Sequence, residues 1–298
     1  MHRPTVVSLF SGCGGTDLGL SQAGCEVVES VEYDPEACAT LRANFTHRVC
    51  EKDIRQELVK DRLDADVYSL TFPCTKYSTI ADIHGTRTGD DLFLHAFRNV
   101  VLAKPEAFFC ENVVGMRRFK VVMEAFTKLP DYYTQVFCPL DASTWLPQKR
   151  ARLILIATRK PFPIQAPAPN IRRPKLADLL DREPQVEIPD YVLARLNGKY
   201  RDRPIISDPE NPHELAPTCV AHYHKDLSTR MVRDRNHPLK IRPWTPREFS
   251  RLQGFPDTFK FPVSDRQIYK QVGNAVPVDM ARWIGQQLVA YFNRDTRS

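Results

Sequence analysis

The sequence predicts an α/β protein with a mostly parallel sheet covered by helices on both faces, followed by a smaller, loop-rich unit. Short apolar runs alternate with helical patterns through about the first 160 residues, which is typical of such a sheet. Prolines then become frequent between about 161 and 217, and this density disfavours regular helices and strands. We therefore expect a first domain over 1–159, completed by 263–298, and a second domain over 160–262.

Each element has a local signal of its own. Apolar, β-branched runs predict strands at about 6–10, 27–31, 67–70, 107–110 and 153–157. Pro35 suits the first turn of a helix, and Thr245 with Glu248 three positions later forms a capping box. Helices are expected up to about Ala23, over 35–45, over 92–103, from 246 onward and over 278–291.

Composition limits the classes of function. The chain has 298 residues, 42% of them hydrophobic, so it can bury a full core. It has no apolar stretch of about 18 residues, which argues against a transmembrane helix. Its eight cysteines form no Cys-x-x-Cys pair, so no metal site is expected. The first residues lack a secretory pattern, which favours a cytoplasmic location, and the net charge of +6 suits a polyanionic partner.

A glycine-rich loop follows the first predicted strand and opens a helix. Glu32 ends the second strand, where a carboxylate can bind ribose hydroxyls, and Tyr33 can cover an adenine. Asp53 and Ile54 can meet the adenine edge, and Leu18 stands where a dinucleotide site carries its third glycine. A tight turn without a ligand is the alternative. We expect an adenosine cofactor at a loop formed by Phe10, Ser11, Gly12, Cys13, Gly14 and Gly15.

Three further segments place reactive side chains near predicted strand ends. Cys74 follows Pro73 just after a strand, where the ligand crevice of an α/β sheet lies and a thiol can act as a nucleophile. Glu111 follows another strand and can bind a ring nitrogen. Arg150 and Arg152 alternate along an extended segment and can form a fork for a phosphate or a carbonyl oxygen. The structural alternatives are a buried inert cysteine, a helix-capping Glu-Asn pair and an exposed basic turn.

In their order along the chain, these motifs resemble those of the cytosine-5 DNA methyltransferase family, of the bacterial or phage restriction-modification type. The resemblance covers almost the whole chain. The family usually reads Gly-x-Pro-Cys-Gln around its nucleophile, whereas here Leu70-Thr71-Phe72 precede Pro73 and Thr75 replaces the glutamine. The similar motifs are 10–15, 32–33, 53–54, 72–74, 111–113, 148–152, 242–248, 252–256 and 271–277.

The resemblance implies a Rossmann-like, S-adenosylmethionine-dependent methyltransferase sheet and a target-recognition domain. The implied reaction transfers a methyl group to carbon 5 of a flipped cytosine in a short duplex sequence, through a covalent adduct of Cys74, and leaves S-adenosylhomocysteine. Glu111 would hold ring N3 and the exocyclic amine, Arg152 would bind O2, and Arg150 would assist it or touch phosphate. The cofactor would also contact Pro73, Asn274 and Ala275.

Duplex DNA is the implied partner, and the protein would lie at the nucleoid when bound to it. A loop over 75–89 could close on the flipped base, and the last helix should bring Asn274 to the cofactor loop. A monomer would suffice, and a cognate restriction endonuclease is a candidate partner. The residues expected to contact DNA are Ser78, Gln148, His222, His224, Lys225, Arg230, Arg233 and Arg235.

The sequence leaves other functions open. The nearest is a cytosine-5 methyltransferase acting on tRNA, a branch that typically carries Cys-Phe-Thr, which this chain lacks. A nicotinamide oxidoreductase would bind NAD and would not need Cys74. A non-catalytic homologue would bind DNA without methylating it. An amino-group DNA methyltransferase would carry a Pro-Pro-aromatic motif where Phe72-Pro73-Cys74 stands.

Overall fold

A central sheet organises the molecule. The computed structural model describes residues 2–73, 92–168, 172–184, 186–199, 202 and 204–294. The strands of this sheet are Thr5–Leu9 (β1), Glu26–Glu32 (β2), Arg48–Glu51 (β3), Val67–Leu70 (β4), Ala107–Val113 (β5), Tyr133–Asp141 (β6) and Ala151–Thr158 (β7). Their order across the sheet is β3-β2-β1-β4-β5-β7-β6.

The sheet is parallel from β3 to β5 and antiparallel at the β7–β6 end. The predicted α/β class with a mostly parallel sheet is confirmed, and a strand lies at each of the five predicted places. The prediction missed β3 and β6. Both are edge strands, and β6 is mostly half-buried or exposed and contains Pro139, so it lacks the continuous apolar run that marks a central strand.

Helices flank the sheet near the predicted positions. Asp34 caps α2 by accepting a hydrogen bond from the Glu36 amide, and Pro35 occupies the first turn. Thr245 and Glu248 form the predicted capping box at the start of α6. The helices are Gly15–Gln22 (α1), Pro35–Asn44 (α2), Leu92–Ala103 (α3), Lys120–Thr127 (α4), Asp190–Asn197 (α5), Pro246–Leu252 (α6), Asp265–Asn274 (α7) and Val278–Phe292 (α8).

The two faces of the sheet bury different helices. Val7 belongs to one buried cluster with Phe93 of α3 and Phe126 of α4. Its neighbour Val6 belongs to a second cluster, which includes Leu20 of α1 and most of the apolar face of α8. Since successive strand residues point to opposite faces, the prediction of helices on both faces is confirmed.

A smaller sheet lies in the second half of the chain. It consists of Ile205–Ser207 (β8), Arg230–Arg233 (β9) and Ile241–Pro243 (β10), in the order β10-β9-β8. A third buried cluster joins Tyr223 and Trp244 of this region to Tyr269 of α7 and Cys13 of the glycine-rich loop. The domain boundaries at 160 and 262 remain a prediction. Within the described ranges, no helix has the length and apolar character needed to span a membrane.

Candidate active site

The candidate site lies at one edge of the large sheet. The parallel strands β1, β2, β4 and β5 end at this edge, and β7 begins there because it runs antiparallel to β5. Polar and glycine-rich segments follow these strand ends. Side chains that are distant in sequence are therefore gathered around one crevice, as is usual for open α/β sheets.

The glycine-rich loop turns sharply after β1. Phe10, Gly12 and Gly14 all have positive φ, at 60°, 55° and 89°, a region that a non-glycine residue such as Phe10 rarely occupies. A Cβ atom on Gly12 would meet nothing within 4 Å, whereas one on Gly15 would lie 2.6 Å from the carbonyl oxygen of Val276. Gly15 therefore permits close packing against the α7–α8 junction, and Gly12 faces open space.

Glu32 holds this loop from the end of β2. Its carboxylate accepts a hydrogen bond from the Gly12 amide at 2.8 Å and from the amides of Tyr33 and Asp34 at 2.9 Å. Burial raises the pKa of Glu32, and these three backbone donors act in the opposite direction. The Tyr33 side chain next to it is largely exposed. A buried acceptor and an exposed aromatic ring thus lie beside Gly12.

The other predicted cofactor residues are placed around the same loop in different ways. Ser11 donates its hydroxyl to the Ser8 carbonyl, and Cys13 is buried. Ile54 is buried in the core below, while the Asp53 carboxylate pairs with the Arg55 guanidinium, which lowers the pKa of Asp53 to about 2.

The last motif returns to the cofactor loop as expected. The Cβ of Ala275 lies 3.2 Å from the position that a Gly15 Cβ would take, and Asn274 beside it is exposed. Lys270 of the same helix pairs with Asp34 at 2.7 Å. These contacts hold the end of α7 against the loop and against the end of β2.

The segment that leads to the predicted nucleophile is anchored on both sides. The Thr71 hydroxyl donates to the carbonyl oxygens of Leu9 and Phe10, at 3.2 and 3.1 Å. The buried Asn112 amide donates to the Phe72 carbonyl at 3.0 Å. Pro73 is exposed. Cys74, Ser78 and the rest of the expected loop over 75–89 lie outside the described residues.

Glu111 and Arg152 meet at the same edge. The Nε atom of Arg152 lies 2.9 Å from Oε1 of Glu111, and both side chains are almost buried. Arg152 also donates to the carbonyl of Ala151. A carboxylate can accept about four hydrogen bonds and a guanidinium can donate five. The pair therefore keeps capacity on both members for a polar ring.

Two residues of the same motif make interior contacts in this structure. Gln148 is fully buried, donates to the Leu252 carbonyl and the Gln253 side chain, and accepts from the Cys219 amide. Its amide is therefore enclosed and occupied by protein groups, and the expected DNA contact of Gln148 stays a prediction.

Arg150 of the same motif also contacts interior groups. Its buried guanidinium donates to the carbonyl oxygens of Cys219, Gly273 and Ala275, at 2.6, 3.1 and 2.9 Å. It does not form a fork with Arg152, whose guanidinium bonds to Glu111 instead. In this structure the guanidinium is thus held by three interior carbonyls, and the expected role of Arg150 in binding substrate stays a prediction.

Comparison with known proteins identifies the family. The model of the C-5 cytosine-specific DNA methylase family matches residues 4–290. The chain belongs to this family. The predicted family membership is confirmed, and the protein is a DNA cytosine-5 methyltransferase. Membership implies that S-adenosylmethionine is the methyl donor.

Individual relatives agree with this assignment. The type II methyltransferase M.NlaX of Neisseria lactamica is 32% identical over 315 residues, covering 96% of each chain. The type II methyltransferase M.PspPI of Psychrobacter sp. is 31% identical over 347 residues, covering 97% of this chain and 80% of the relative. The solved structure of the Entamoeba histolytica methyltransferase EhMeth matches all of both chains with a TM-score of 0.81 at 20% identity, which shows a shared fold.

Apart from Ser78 and Gln148, the residues of the methylase that were expected to contact DNA fall into two groups. Arg233 pairs with Asp208, and Arg235 pairs with Glu210. The second group is defined here as the basic cluster, and it consists of His222, His224, Lys225 and Arg230. In the part of the chain that the structure describes, no carboxylate lies within ion-pair distance of the basic cluster, although the His224 ring bonds to the Ala221 carbonyl.

Two polar residues of the methylase site were not given a role by the sequence. Asn112 lies inside the 111–113 motif and Thr71 directly precedes the 72–74 motif, yet their hydrogen-bond partners are about 40 to 60 positions away. From the sequence, the Thr71 hydroxyl and the Asn112 amide could be expected to make a polar contact, but their partners could not be identified.

Proposed function

We propose that the protein methylates carbon 5 of a cytosine flipped out of a short duplex sequence, with Cys74 as the nucleophile and with Glu111 and Arg152 binding the base. The observation that carries the proposal is the contact between Glu111 and Arg152 at the sheet edge into which the Phe72-Pro73 segment leads. A carboxylate and a guanidinium placed together complement a ring that offers an amine donor and a carbonyl acceptor.

The other cysteines support Cys74 as the nucleophile. Burial raises the pKa of Cys13, Cys25, Cys38 and Cys219 to about 12. The thiolate is the reactive form of cysteine, so these four thiols stay protonated and unreactive near neutral pH. Cys74 instead follows the exposed Pro73.

The roles of the residues follow from the chemistry of cytosine. The Cys74 thiolate forms a bond to carbon 6, and the electron pair displaced from the ring double bond makes carbon 5 nucleophilic. Glu111 stabilises this change by sharing a proton with ring N3 and by accepting from the exocyclic amine, and Arg152 by donating to O2. When bound, S-adenosylmethionine supplies the electrophilic methyl group. Loss of the carbon 5 proton then restores the double bond and expels the thiolate of Cys74.

The loop after β1 fits an adenosine-containing sulfonium donor. Gly12 offers space without a side chain, and the buried Glu32 carboxylate lies beside it with remaining lone pairs that can accept ribose hydroxyls. The exposed Tyr33 ring can cover an adenine, and Asn274 lies close by at the end of α7. The Asp53 carboxylate, which already pairs with Arg55, would have to accept from an adenine amine as well.

The basic cluster is the proposed DNA contact of the second domain. Burial, together with the charges of Arg230, Lys225 and His224, lowers the pKa of His222, so that its ring is neutral near pH 7. Arg230 is partly buried, and burial lowers its pKa as well. Cations without acidic partners favour phosphates and guanine edges. Arg233 and Arg235 already neutralise Asp208 and Glu210, so we assign them a smaller share of the binding energy.

The biological setting is proposed from the relatives. M.NlaX and M.PspPI are both named type II methyltransferases, which favours a modification enzyme beside a cognate restriction endonuclease. A monomer would suffice, because one base is methylated at a time. The proposed second domain over 160–262 is short, which favours a short recognition sequence.

Bisulfite sequencing of DNA from cells that express the protein tests the proposal and reveals the target site. We expect one short sequence to carry 5-methylcytosine at every copy, with none in cells that express the Cys74→Ala variant. A duplex with 5-fluorocytosine at that site should then crosslink to Cys74, because fluorine cannot leave as the proton does. Methylation that survives Cys74→Ala would refute the mechanism.

Labelled S-adenosylmethionine separates the proposed substrate from the alternative. The protein is incubated with either duplex DNA or bulk tRNA, and incorporation of label into each is counted. Label in DNA supports the proposal. Label in tRNA alone would refute it in favour of tRNA methylation, and label in neither would favour a non-catalytic DNA-binding protein.

A further inference from the structure

Thr71 occupies the point at which the cofactor loop and the nucleophile segment come closest along the sheet. It is the first residue after β4, which pairs in parallel with β1 so that Leu70 lies opposite Leu9. The next residue on β1 is Phe10, where the cofactor loop begins. Thr71 therefore lies between the loop proposed to bind the methyl donor and the segment that leads to the proposed nucleophile.

The backbone pairing of the two strands weakens at this level. The Thr71 amide lies 3.5 Å from the Leu9 carbonyl oxygen, at the limit of a hydrogen bond, because Phe10 has left the extended conformation with φ of 60°. The Thr71 hydroxyl instead donates to the carbonyl oxygens of Leu9 and Phe10, at 3.2 and 3.1 Å. A side-chain donor thus supports a left-handed conformation that a non-glycine residue rarely adopts.

The same segment is fixed on its other side. The Asn112 amide, next to Glu111 in β5, holds the Phe72 carbonyl, and the Phe72 ring packs edge-on against the Phe10 ring with centroids 6.3 Å apart. Only three peptide bonds separate Thr71 from Cys74, a span of about 10 Å at most. Small rotations at Thr71 therefore carry directly into the direction in which the chain leaves Pro73.

We propose that the Thr71 hydroxyl is a positioning group that couples the cofactor loop to the nucleophile segment. It keeps the Phe10 turn, which shapes the loop, in a fixed relation to the Phe72-Pro73 segment, from which Cys74 extends. The Gly-x-Pro-Cys pattern of the family has glycine at this position, so the coupling hydroxyl is a feature of this chain. The inference rests on the proposed covalent role of Cys74.

The test compares Thr71→Val, which keeps the shape but removes the donor, with Thr71→Ser, which keeps the donor. Two quantities are measured for each: the Kd of S-adenosylhomocysteine by calorimetry, and the rate of crosslinking to a 5-fluorocytosine duplex at saturating S-adenosylmethionine. We expect Thr71→Val to weaken cofactor binding and to slow crosslinking, each by about three- to tenfold, as for loss of one hydrogen bond. Thr71→Ser should stay within about twofold of the wild type in both.

Thr158→Val is the matched control. The Thr158 hydroxyl also donates to a backbone carbonyl, that of Lys160 at 2.8 Å, but at the opposite edge of the sheet. This variant should change neither quantity. Should Thr71→Val fail to fold, Thr71→Ala replaces it with the same expectation.

The outcomes separate this inference from the proposed function. A change in Kd without a change in the crosslinking rate at saturation, no change in either, or a serine variant as impaired as the valine variant would each overturn the coupling role. If the wild type itself fails to crosslink while it methylates DNA, the covalent role of Cys74 fails, and the inference fails with it.

Discussion

The two arginines of the Gln-x-Arg-x-Arg motif should respond differently to the same substitution. Arg150 donates to three interior carbonyls, whereas Arg152 pairs with Glu111 at the crevice. Lysine keeps the positive charge in both cases but loses the planar fork, since a single ammonium cannot point at three carbonyls on different segments. Arg150→Lys should therefore act on stability, and Arg152→Lys on catalysis.

The expected sizes follow from the contacts. Loss of two of the three Arg150 hydrogen bonds, each involving a charged donor in a buried site, should cost about 3 kcal/mol in the free energy of unfolding. For a chain of 298 residues this corresponds to a fall in Tm of about 5 °C. Arg152→Lys keeps an ion pair with Glu111 and should lower Tm by about 1 °C at most, but it should lower kcat by roughly a hundredfold, because a donor to the base is lost.

Two assays on the same preparations decide the matter. Differential scanning calorimetry gives Tm, and incorporation of labelled methyl groups into duplex DNA at 25 °C, where both variants are folded, gives kcat. An Arg150→Lys variant with the Tm of the wild type and a kcat as low as that of Arg152→Lys would refute the structural role of Arg150. It would restore the interpretation that both arginines contact substrate.

Three further predictions concern cofactor binding, the packing of Gly273 against the 219–221 segment, and DNA binding by the basic cluster. Glu32 binds as a carboxylate and burial raises its pKa, so the affinity for S-adenosylhomocysteine should be highest at neutral pH and should fall on acidification, at a higher pH than for an ordinary glutamate. Calorimetry from pH 8 to 5 measures this affinity. Glu32→Gln should abolish its pH dependence. Gly273→Ala should destabilise the protein by about 1–3 kcal/mol in chemical denaturation, since its Cβ would lie 2.4 Å from the amide nitrogen of Ala221. Arg230→Ala should raise the Kd for DNA, measured by fluorescence anisotropy, by about tenfold. Arg235 pairs with a surface carboxylate in the wild type, so Arg235→Ala should raise this Kd by less than threefold. Equal losses would contradict the different roles assigned to the two arginines.

The sequence was sufficient where a signal is local or follows from sheet geometry. β1, β4 and β5 are continuous buried runs, so their positions could be predicted from apolar residues alone. The resemblance implied that Glu111 and Arg152 bind the same base, and they meet at one edge because β7 runs antiparallel to β5. Pro35 and Thr245 marked helix starts because capping depends on neighbours within four residues.

The sequence was insufficient where the role of a side chain depends on which way it points in the fold. Gln148 and Arg150 belong to a basic, polar segment that suggests exposure, yet both are buried by contacts with residues 69 to 125 positions away. Residue type gives the donors of a side chain but not the acceptors that the fold brings to it. The same limit applies to Thr71, whose acceptors lie on β1 and on the turn that follows it.

Three residues with interior contacts share one location, which bears on how DNA would be held. Gln148, Arg150 and Gly273 all contact the segment at 219–221, through the Cys219 amide and carbonyl and through the backbone of Ala221. His222, the first residue of the basic cluster, follows at once. The cluster is therefore attached to the catalytic edge by a short segment, buried at Cys219 and half-buried at 220–221, that interior contacts hold in place. Its distance from the Glu111–Arg152 pair is consequently fixed by interior hydrogen bonds, so a substitution in this segment should alter DNA binding although it touches no DNA.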